Sequence, residues 1–261
     1  MKAKPGKPNL HHFIIYNTGV AIKTLCWFVF LAADWLNQGT IQKDEKQLTV
    51  ANVHQLKLLW KRPLDATLTS PVMLGPIVTH RGIKELVFVA AASNTLYAVD
   101  ADLGRVFWTR KFDSPGTLTA TPAIAPYTNP NPKAEWSTPL RPIYVATGDG
   151  MLHTVRASDG EDLEPPKQFL APGATPSGLI VSGKSVQVIA EKAPASARVN
   201  GIVFSVKSNL IANDAGTGKQ LYLSAEDIPA PIAPGGLAIA NGHVCFAAAN
   251  TLYCFGIPFE I

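Results

Sequence analysis

Charged residues are scarce in this chain, and those present do not form a basic surface. Only 16% of the 261 residues are charged, whereas 47% are hydrophobic, and so apolar a composition excludes intrinsic disorder. The net charge of +4 comes from residues 1–33, which hold four lysines and no acidic residue, while the rest of the chain has 19 basic and 19 acidic residues. Nucleic-acid binding needs clustered basic residues, so the sequence predicts no nucleic-acid partner.

The chain also lacks an N-terminal apolar stretch long enough to span a bilayer, which takes about 20 residues. The stretch from Thr24 to Leu31 is shorter, follows a basic start and precedes the small residues Ala32 and Ala33. This order is typical of an export signal. Residues 1–33 are therefore predicted to be a signal peptide cleaved near Ala33, which leaves no stable membrane span and a periplasmic or secreted protein. A buried N-terminal helix or an uncleaved anchor is the alternative.

Cysteine is rare, with three residues in the chain. Cys26 lacks the small preceding residues of a lipid-attachment site, so lipidation is not expected. Cys245 and Cys254 lie on neighbouring strand-like runs, where an exported protein could pair them. Directly opposed cysteines on adjacent strands suit disulfide geometry poorly, so we expect two buried thiols that pack as small hydrophobes.

One segment matches the phosphate-binding consensus G-x-x-x-x-G-K-[ST], namely GLIVSGKS from Gly178 to Ser185. That site requires a strand, an open glycine-rich loop and a following helix. Here the spacer contains bulky Leu, Ile and Val, and the residues after Ser185 are β-branched with no helical period. The segment therefore predicts a β-hairpin with its turn at residues 182–184.

A repeat organises most of the chain. Three stretches align, ELVFVAAASNTLYAVDADLGRVFW from Glu85, RPIYVATGDGMLHTVRASDGEDLE from Arg141 and NGIVFSVKSNLIANDAGTGKQLYL from Asn200, and a fourth partial copy starts at Asn241. Each contains an apolar strand, a small turn and a second strand that begins with a leucine. A glycine-containing turn then leads into a third short strand. The leucines are Leu96, Leu152, Leu210 and Leu252, and the turn glycines are Gly104, Gly160 and Gly218.

Apolar runs after prolines, at residues 71–78, 122–126 and 234–240, add a further strand to most units. Four-stranded units of this size must stack to bury their faces. The sequence therefore predicts an all-β fold, a β-propeller of four-stranded antiparallel blades. We expect four blades, or five if residues 171–190 form a separate one. The proline-rich residues 127–140 are predicted to be a surface loop.

The unit TLYAVDADLGRVFW, with Asp100, Gly104 and Trp108 in register, resembles the tryptophan-docking repeat of the pyrroloquinoline-quinone (PQQ) propellers. The start, Asp34-Trp35 followed by QLTVANVHQLKLLWKRPLD, and the end, NTLYCFGIPFEI, are similar to the same quinoprotein alcohol dehydrogenase-like superfamily. The resemblance implies residues 56–261 as the repeat domain, after an extension at 34–55. It also implies that the strand 56–64 completes the last blade near residues 245–255. Dehydrogenases of this superfamily have eight blades and are much longer, so this chain is a shortened relative.

The resemblance also implies what a quinone site would need: PQQ over a tryptophan, an adjacent-cysteine disulfide, and calcium held by acidic and amide side chains. The sequence has no adjacent cysteine pair and no cluster matching the calcium ligands, and Trp60 and Trp108 occupy blade-closing positions. We therefore predict no catalytic, cofactor-binding or metal-binding residues. PQQ and calcium belong only to the alternative of a degenerate dehydrogenase.

The remaining polar residues do not form a recognisable catalytic or metal-binding pattern. His153 and His243 are isolated within strands, and His54 and His80 have no partner at a metal-binding spacing. Ser205 and Ser208 precede no His and acid in recognisable order. Asp149, between two glycines, is typical of a hairpin turn.

The predicted function is an exported, non-catalytic propeller that serves as an envelope scaffold or as a module binding an unknown protein or small ligand. A PQQ-dependent alcohol or sugar dehydrogenase relative is the enzyme alternative. A third hypothesis is a role similar to that of the propeller lipoprotein of outer-membrane protein assembly. The missing lipid-attachment cysteine weighs against it. A decayed or internally deleted version of a longer ancestor is the fourth.

Overall fold

The computed structural model describes residues 45–125, 141–182, 185–189, 196–233 and 236–258. These residues form eighteen strands and one short 3-10 turn, Val53–Gln55. No helix in this part of the chain is long and apolar enough to cross a bilayer. The predicted signal peptide and the predicted loop at 127–140 lie outside the described residues, so both stay predictions.

The strands form four four-stranded antiparallel sheets and one hairpin, which we number as blades I to V in chain order. Blade I contains β2 (Val72–Thr79), β3 (Gly82–Ala91), β4 (Thr95–Asp100) and β5 (Val106–Lys111). Blade II contains β6 (Ala123–Ile124), β7 (Pro142–Ala146), β8 (Met151–Arg156) and β9 (Asp162–Gln168). Blade III is the hairpin of β10 (Gly178–Ser182) and β11 (Ser185–Ile189). Blade IV contains β12 (Ser196–Val199), β13 (Ile202–Val206), β14 (Leu210–Asp214) and β15 (Gln220–Leu223). Blade V contains β16 (Ala238–Ala240), β17 (His243–Ala248), β18 (Thr251–Gly256) and, at its edge, β1 (Lys57–Pro63).

Alternating side chains bury both faces of blade I. In β3, Val87 and Val89 pack towards blade V, while Leu86, Phe88 and Ala90 pack towards blade II. Because side chains on a strand alternate between its faces, a strand buried on both faces carries an uninterrupted apolar run. This explains the sequence LVFVAA in β3.

Shared apolar cores set the order of the blades. One core joins blades I and V, a second joins blades I and II, a third joins blades IV and V, and a smaller one joins blade II to the hairpin. The described blades therefore follow one another side by side, as blades of a propeller do, in the order III, II, I, V, IV. The predicted β-propeller is confirmed.

The N-terminal strand completes the last blade, as predicted. β1 pairs antiparallel with β18, with Trp60 opposite Cys254. The residues just before it are held by buried Glu45, whose Oε1 accepts the backbone N–H of Leu48 at 3.0 Å and whose Oε2 accepts that of Gly242 at 2.9 Å. The segment 45–56 is thus part of the packed structure beside blades IV and V.

A tight turn between the third and fourth strands of blade I forms the surface on which the neighbouring blade docks. Asp100 Oδ1 accepts the backbone N–H groups of Asp102 and Leu103, both at 3.1 Å. Gly104 then takes a φ of 62°, a left-handed conformation that glycine adopts without steric cost. The predicted Asp-to-Gly turn is confirmed.

Trp60 and Arg62 of blade V dock on this turn. The Trp60 indole N–H donates to the carbonyl of Ala101 at 2.6 Å, and Arg62 Nε donates to the carbonyl of Gly104 at 2.7 Å. A Cβ added to Gly104 would lie 2.5 Å from the Trp60 ring. Glycine is therefore required at position 104 for two reasons: the left-handed backbone conformation, and the space that the indole ring occupies.

Trp108 and Arg110 repeat this docking between blades I and II. The Trp108 indole N–H donates to the carbonyl of Ala157 at 2.9 Å, and Arg110 Nη1 donates to the carbonyl of Gly160 at 3.2 Å. A Cβ added to Gly160 would meet the Trp108 ring at 2.9 Å. The predicted role of Trp108 as a plate between blades is confirmed, and a Trp-x-Arg pair is the unit that docks.

The P-loop-like segment forms the predicted hairpin. β10 and β11 are antiparallel, with Gly178 opposite Ile189 and Ser182 opposite Ser185. No helix follows the lysine, because residues 185–189 are strand. The hairpin contributes Leu179 to the core it shares with blade II, so it corresponds to the first half of a blade.

The prediction of free thiols was wrong. Cys245 and Cys254 form a disulfide within blade V, with a Cα–Cα distance of 4.2 Å. The two residues lie directly opposite each other on β17 and β18, and such opposed positions can bring Cα atoms to about 4.5 Å. The close approach of the two strands therefore places the two sulfur atoms in bonding contact.

Candidate functional site: a polar pocket between blades I and V

A carboxylate, Glu85, occupies the interior of the boundary between blades I and V. Its side chain is only 18% exposed, although it belongs to the solvent-facing half of the long β2–β3 hairpin. Gly75 makes room for it, because a Cβ at that position would lie 2.5 Å from Glu85 Cγ. Glu85 Oε1 accepts a hydrogen bond from Asn241 Nδ2, which lies in the turn before β17.

His243, the first residue of β17, lies between two carboxylates. Its Nδ1 is 3.6 Å from Glu85 Oε2, and its Nε2 is 3.6 Å from Asp102 Oδ1. These distances are too long for hydrogen bonds, so the contacts are electrostatic. Asp102 belongs to the turn on which Trp60 docks, so the docking interaction also fixes one wall of this site.

Burial shifts the pKa values of both central groups. Desolvation raises the pKa of Glu85 from its ordinary value of 4.5 to about 7, and the neighbouring acids Asp102, Glu45 and Asp100 add to the rise, against the hydrogen bond from Asn241. Burial lowers the pKa of His243, although Asp102 acts in the opposite direction. At neutral pH the histidine is therefore mostly uncharged, and Glu85 exchanges its proton close to pH 7.

These residues line an open pocket of about 460 Å³. Two buried atoms at its base, Glu85 Oε2 and His243 Nδ1, have no hydrogen-bond partner. Lys84 is engaged by Asp100, with Nζ 2.9 Å from Oδ2. The lining residues are Gln47, Pro76, Ile83, Lys84, Glu85, Asp102, Asn241 and His243.

The pocket is suited to binding and proton exchange. Glu85 Oε2 and His243 Nδ1 are buried and lie 3.6 Å apart, so they face each other, whereas the exposed carboxylate of Asp102 is within reach of a small polar molecule in the pocket. The lining residues include no serine, threonine, cysteine or tyrosine, and so supply no hydroxyl or thiol nucleophile.

The other histidine singled out within a strand, His153, is packed between an aromatic ring and a carboxylate. His153 packs against the ring of Phe112, with centroids 4.6 Å apart, and its Nδ1 is 3.6 Å from Asp162 Oδ1. Asp162 in turn binds Arg110, the arginine that docks on blade II. Burial lowers the pKa of His153. The imidazole beside this inter-blade contact is therefore mostly uncharged at neutral pH.

The other polar candidates from the sequence are not brought together. Asp149 lies in the turn between β7 and β8, where its Oδ1 accepts the Thr147 hydroxyl at 2.5 Å, so its prediction as a turn residue is confirmed. Within the described residues, no three His, Cys, Asp or Glu side chains could hold a metal ion.

The donor set does not fit a calcium-bound quinone. Glu85 and Asp102 each lie 3.6 Å from a different nitrogen of His243, and among the described residues they belong to no group of three that could hold a metal ion, whereas calcium takes six to eight oxygen ligands. The disulfide joins cysteines nine positions apart rather than adjacent ones. We assign no step of a reaction to PQQ at this site.

The comparison with protein families gives one long match. A family model described as outer membrane protein assembly factor BamB matches residues 29–256. The chain belongs to this family. The match agrees with the PQQ-propeller resemblance of the repeats, which is thereby confirmed.

Solved structures similar to the chain share its fold at low identity. A quinohemoprotein alcohol dehydrogenase from Comamonas testosteroni is 16% identical, with 72% of this chain matched to 28% of that chain and a TM-score of 0.35. Another from Pseudomonas putida is 21% identical, with 73% matched to 27% and a TM-score of 0.36. The WD40 propeller domain of Doa1 is 13% identical, with 78% matched to 97% and a TM-score of 0.41. The chain spans less than a third of the two dehydrogenases, and no curated protein matches it.

Sequence reasoning missed the pocket. It treated His243 as an isolated strand residue and did not single out Glu85 as a site residue. The only local signal was an acidic residue directly before the apolar run LVFVAA. The contact between residues 85, 102 and 243 arises only when blade V closes against blade I.

Proposed function

We propose that this chain is an exported, non-catalytic propeller that serves as a binding module or scaffold of the cell envelope. The observation that carries the proposal is the polar pocket between blades I and V, where Glu85, Asp102 and His243 lie together in a lining without a hydroxyl or thiol nucleophile. Such a site favours reversible binding of a small polar molecule. Its occupancy depends on pH because Glu85 exchanges a proton near pH 7.

Two further observations support the envelope location. The family is described as an outer membrane protein assembly factor, and a role in protein assembly requires surfaces that bind other proteins. The disulfide Cys245–Cys254 is typical of proteins that fold in oxidising compartments such as the periplasm.

The enzyme alternative is a degenerate PQQ-dependent dehydrogenase, favoured by one feature. Glu85, with a pKa of about 7, is a carboxylate tuned to accept a proton at neutral pH, as a general base must be. The lack of a possible metal-ligand group among the described residues is the observation that weighs against the calcium-bound quinone such an enzyme would need.

A cofactor titration separates the two functions. Purified protein is mixed with PQQ and calcium, and bound-quinone absorption and reduction of an electron-accepting dye with alcohols and sugars are recorded. We expect neither signal. Dye reduction by the wild-type protein that is lost in Glu85→Gln, while the Glu164→Gln control on the solvent-exposed part of β9 retains it, would overturn the proposal in favour of the dehydrogenase.

A further inference from the structure

Blade IV carries a third turn of the kind on which the Trp-x-Arg pairs dock. Asp214 Oδ1 accepts the backbone N–H groups of Gly216 at 3.0 Å and Thr217 at 2.7 Å. The N–H of Gly218 donates to the carbonyl of Asp214 at 2.9 Å, and Gly218 has a φ of 73°. The turn therefore has the conformation of the two occupied turns, which end at Gly104 and Gly160.

This third turn is uncovered among the described residues. In the occupied turns the alanine and the final glycine are buried, whereas Ala215 is half-buried and Gly218 is exposed. A Cβ added to Gly218 would meet nothing within 4 Å. The surface that receives an indole ring at Gly104 and Gly160 thus faces solvent at Gly218.

The shortened blade III explains why the turn is uncovered. The outer strand of blade V docks on the turn of blade I, and the outer strand of blade I docks on that of blade II. The outer strand of blade III would follow the same rule for blade IV. Blade III has only the strands β10 and β11 in the described chain, so no outer strand is available.

We propose that the turn Asp214–Gly218 is a docking site for an extended segment of a partner protein that carries Trp-x-Arg. The indole N–H would donate to the carbonyl of Ala215, and the guanidinium to that of Gly218, as their counterparts do in the occupied turns. The five tryptophans of the chain include only two with arginine two positions later, Trp60 and Trp108, and both are engaged. The occupant therefore comes from another protein. This inference rests on the proposed function as a binding module.

The test uses the chain's own docking sequence as the probe. A fluorescently labelled peptide with the sequence of residues 57–63, KLLWKRP, is titrated with the full chain and followed by fluorescence anisotropy. A second peptide has alanine in place of its tryptophan. We expect the first peptide to bind and the second to bind at least about tenfold more weakly, which corresponds to about 1.4 kcal/mol.

A matched pair of protein variants locates the site. Gly218→Ala places a methyl group where the indole would lie, and Gly173→Ala is the control, because Gly173 also has positive φ and nothing within 4 Å of an added Cβ. We expect about a tenfold loss of peptide affinity for Gly218→Ala, about 1.4 kcal/mol, and none for Gly173→Ala. Thermal melts verify that both variants fold.

Three results would overturn the inference. The first is no binding of the tryptophan peptide to the wild-type chain. The second is binding unaffected by Gly218→Ala, which would indicate exchange with β1 in blade V instead. The third is a dimer in sedimentation that Gly218→Ala dissolves, which would make a second copy the occupant. Dye reduction with PQQ would refute the proposed function and leave the peptide result unchanged, so the two failures are distinguishable.

Discussion

Replacing Gly104 by alanine tests whether tryptophan docking holds the blades together. The residue has a φ of 62°, and an added Cβ would lie 2.5 to 2.9 Å from three atoms of the Trp60 ring. Such short distances displace the indole ring from its docked position and break its hydrogen bond to the carbonyl of Ala101. Gly218→Ala is the matched control, because it has the same left-handed backbone with no neighbour to displace.

The expected magnitudes separate the two variants. Alanine at a left-handed position costs about 1 kcal/mol, and this applies to both. At Gly104, overpacking adds about 1–3 kcal/mol and the lost hydrogen bond about 1 kcal/mol. We therefore expect Gly104→Ala to be less stable than Gly218→Ala by about 2–4 kcal/mol, or roughly 4–16 °C in Tm at about 2–4 °C per kcal/mol for a domain of this size.

Urea denaturation followed by circular dichroism measures the difference, with near-ultraviolet spectra reporting the tryptophan environment. The reasoning assigns the extra cost to the indole contact. Equal destabilisation of the two variants would refute it, since the backbone conformation would then account for the whole effect.

Three further predictions follow from the pocket, the disulfide and the N-terminal strand. The raised pKa of Glu85 means that the folded state holds a proton that the unfolded chain releases above pH 4.5, so this residue lowers stability by a few kcal/mol as pH rises from about 4.5 to 7. Glu85→Gln should be more stable than wild type at pH 8 and equal at pH 4, measured by urea titration; a constant difference across this range would contradict the pKa shift. Reduction of Cys245–Cys254 should lower unfolding free energy by about 2–3 kcal/mol, and Cys254→Ser should remove that sensitivity to reductant. Deleting residues 45–63 should yield an insoluble chain, because β18 and the core beneath residues 45–56 are uncovered; a soluble chain with a native β-sheet spectrum would show that β1 is dispensable.

The repeat made most of the fold predictable. The turn glycines Gly104, Gly160 and Gly218 mark equivalent points of blades I, II and IV, so local patterns specify these blades, although the interval from Gly160 to Gly218 also contains the hairpin of blade III. The pairing of β1 with β18 was predictable from the resemblance, because the segment around Trp60 is similar to the start of propellers in which an N-terminal strand completes the last blade.

The site was not predictable, for a physical reason. Glu85, Asp102 and His243 belong to three different turns and strands, and no pattern within one repeat encodes their approach. The disulfide was misjudged for a related reason, since whether two opposed cysteines bond depends on the local twist and separation of β17 and β18, which residue types alone do not fix.

Because β1 forms the edge of blade V, the two ends of the molecule are synthesised far apart in time yet must meet in one sheet. Blades I and II can assemble from neighbouring residues while the chain is still emerging, whereas the contact between positions 57–63 and 251–256 waits for nearly the whole polypeptide. Pairings so distant in sequence form slowly. The edge of β18 in a nascent chain therefore stays unpaired until residues 57–63 and 251–256 meet.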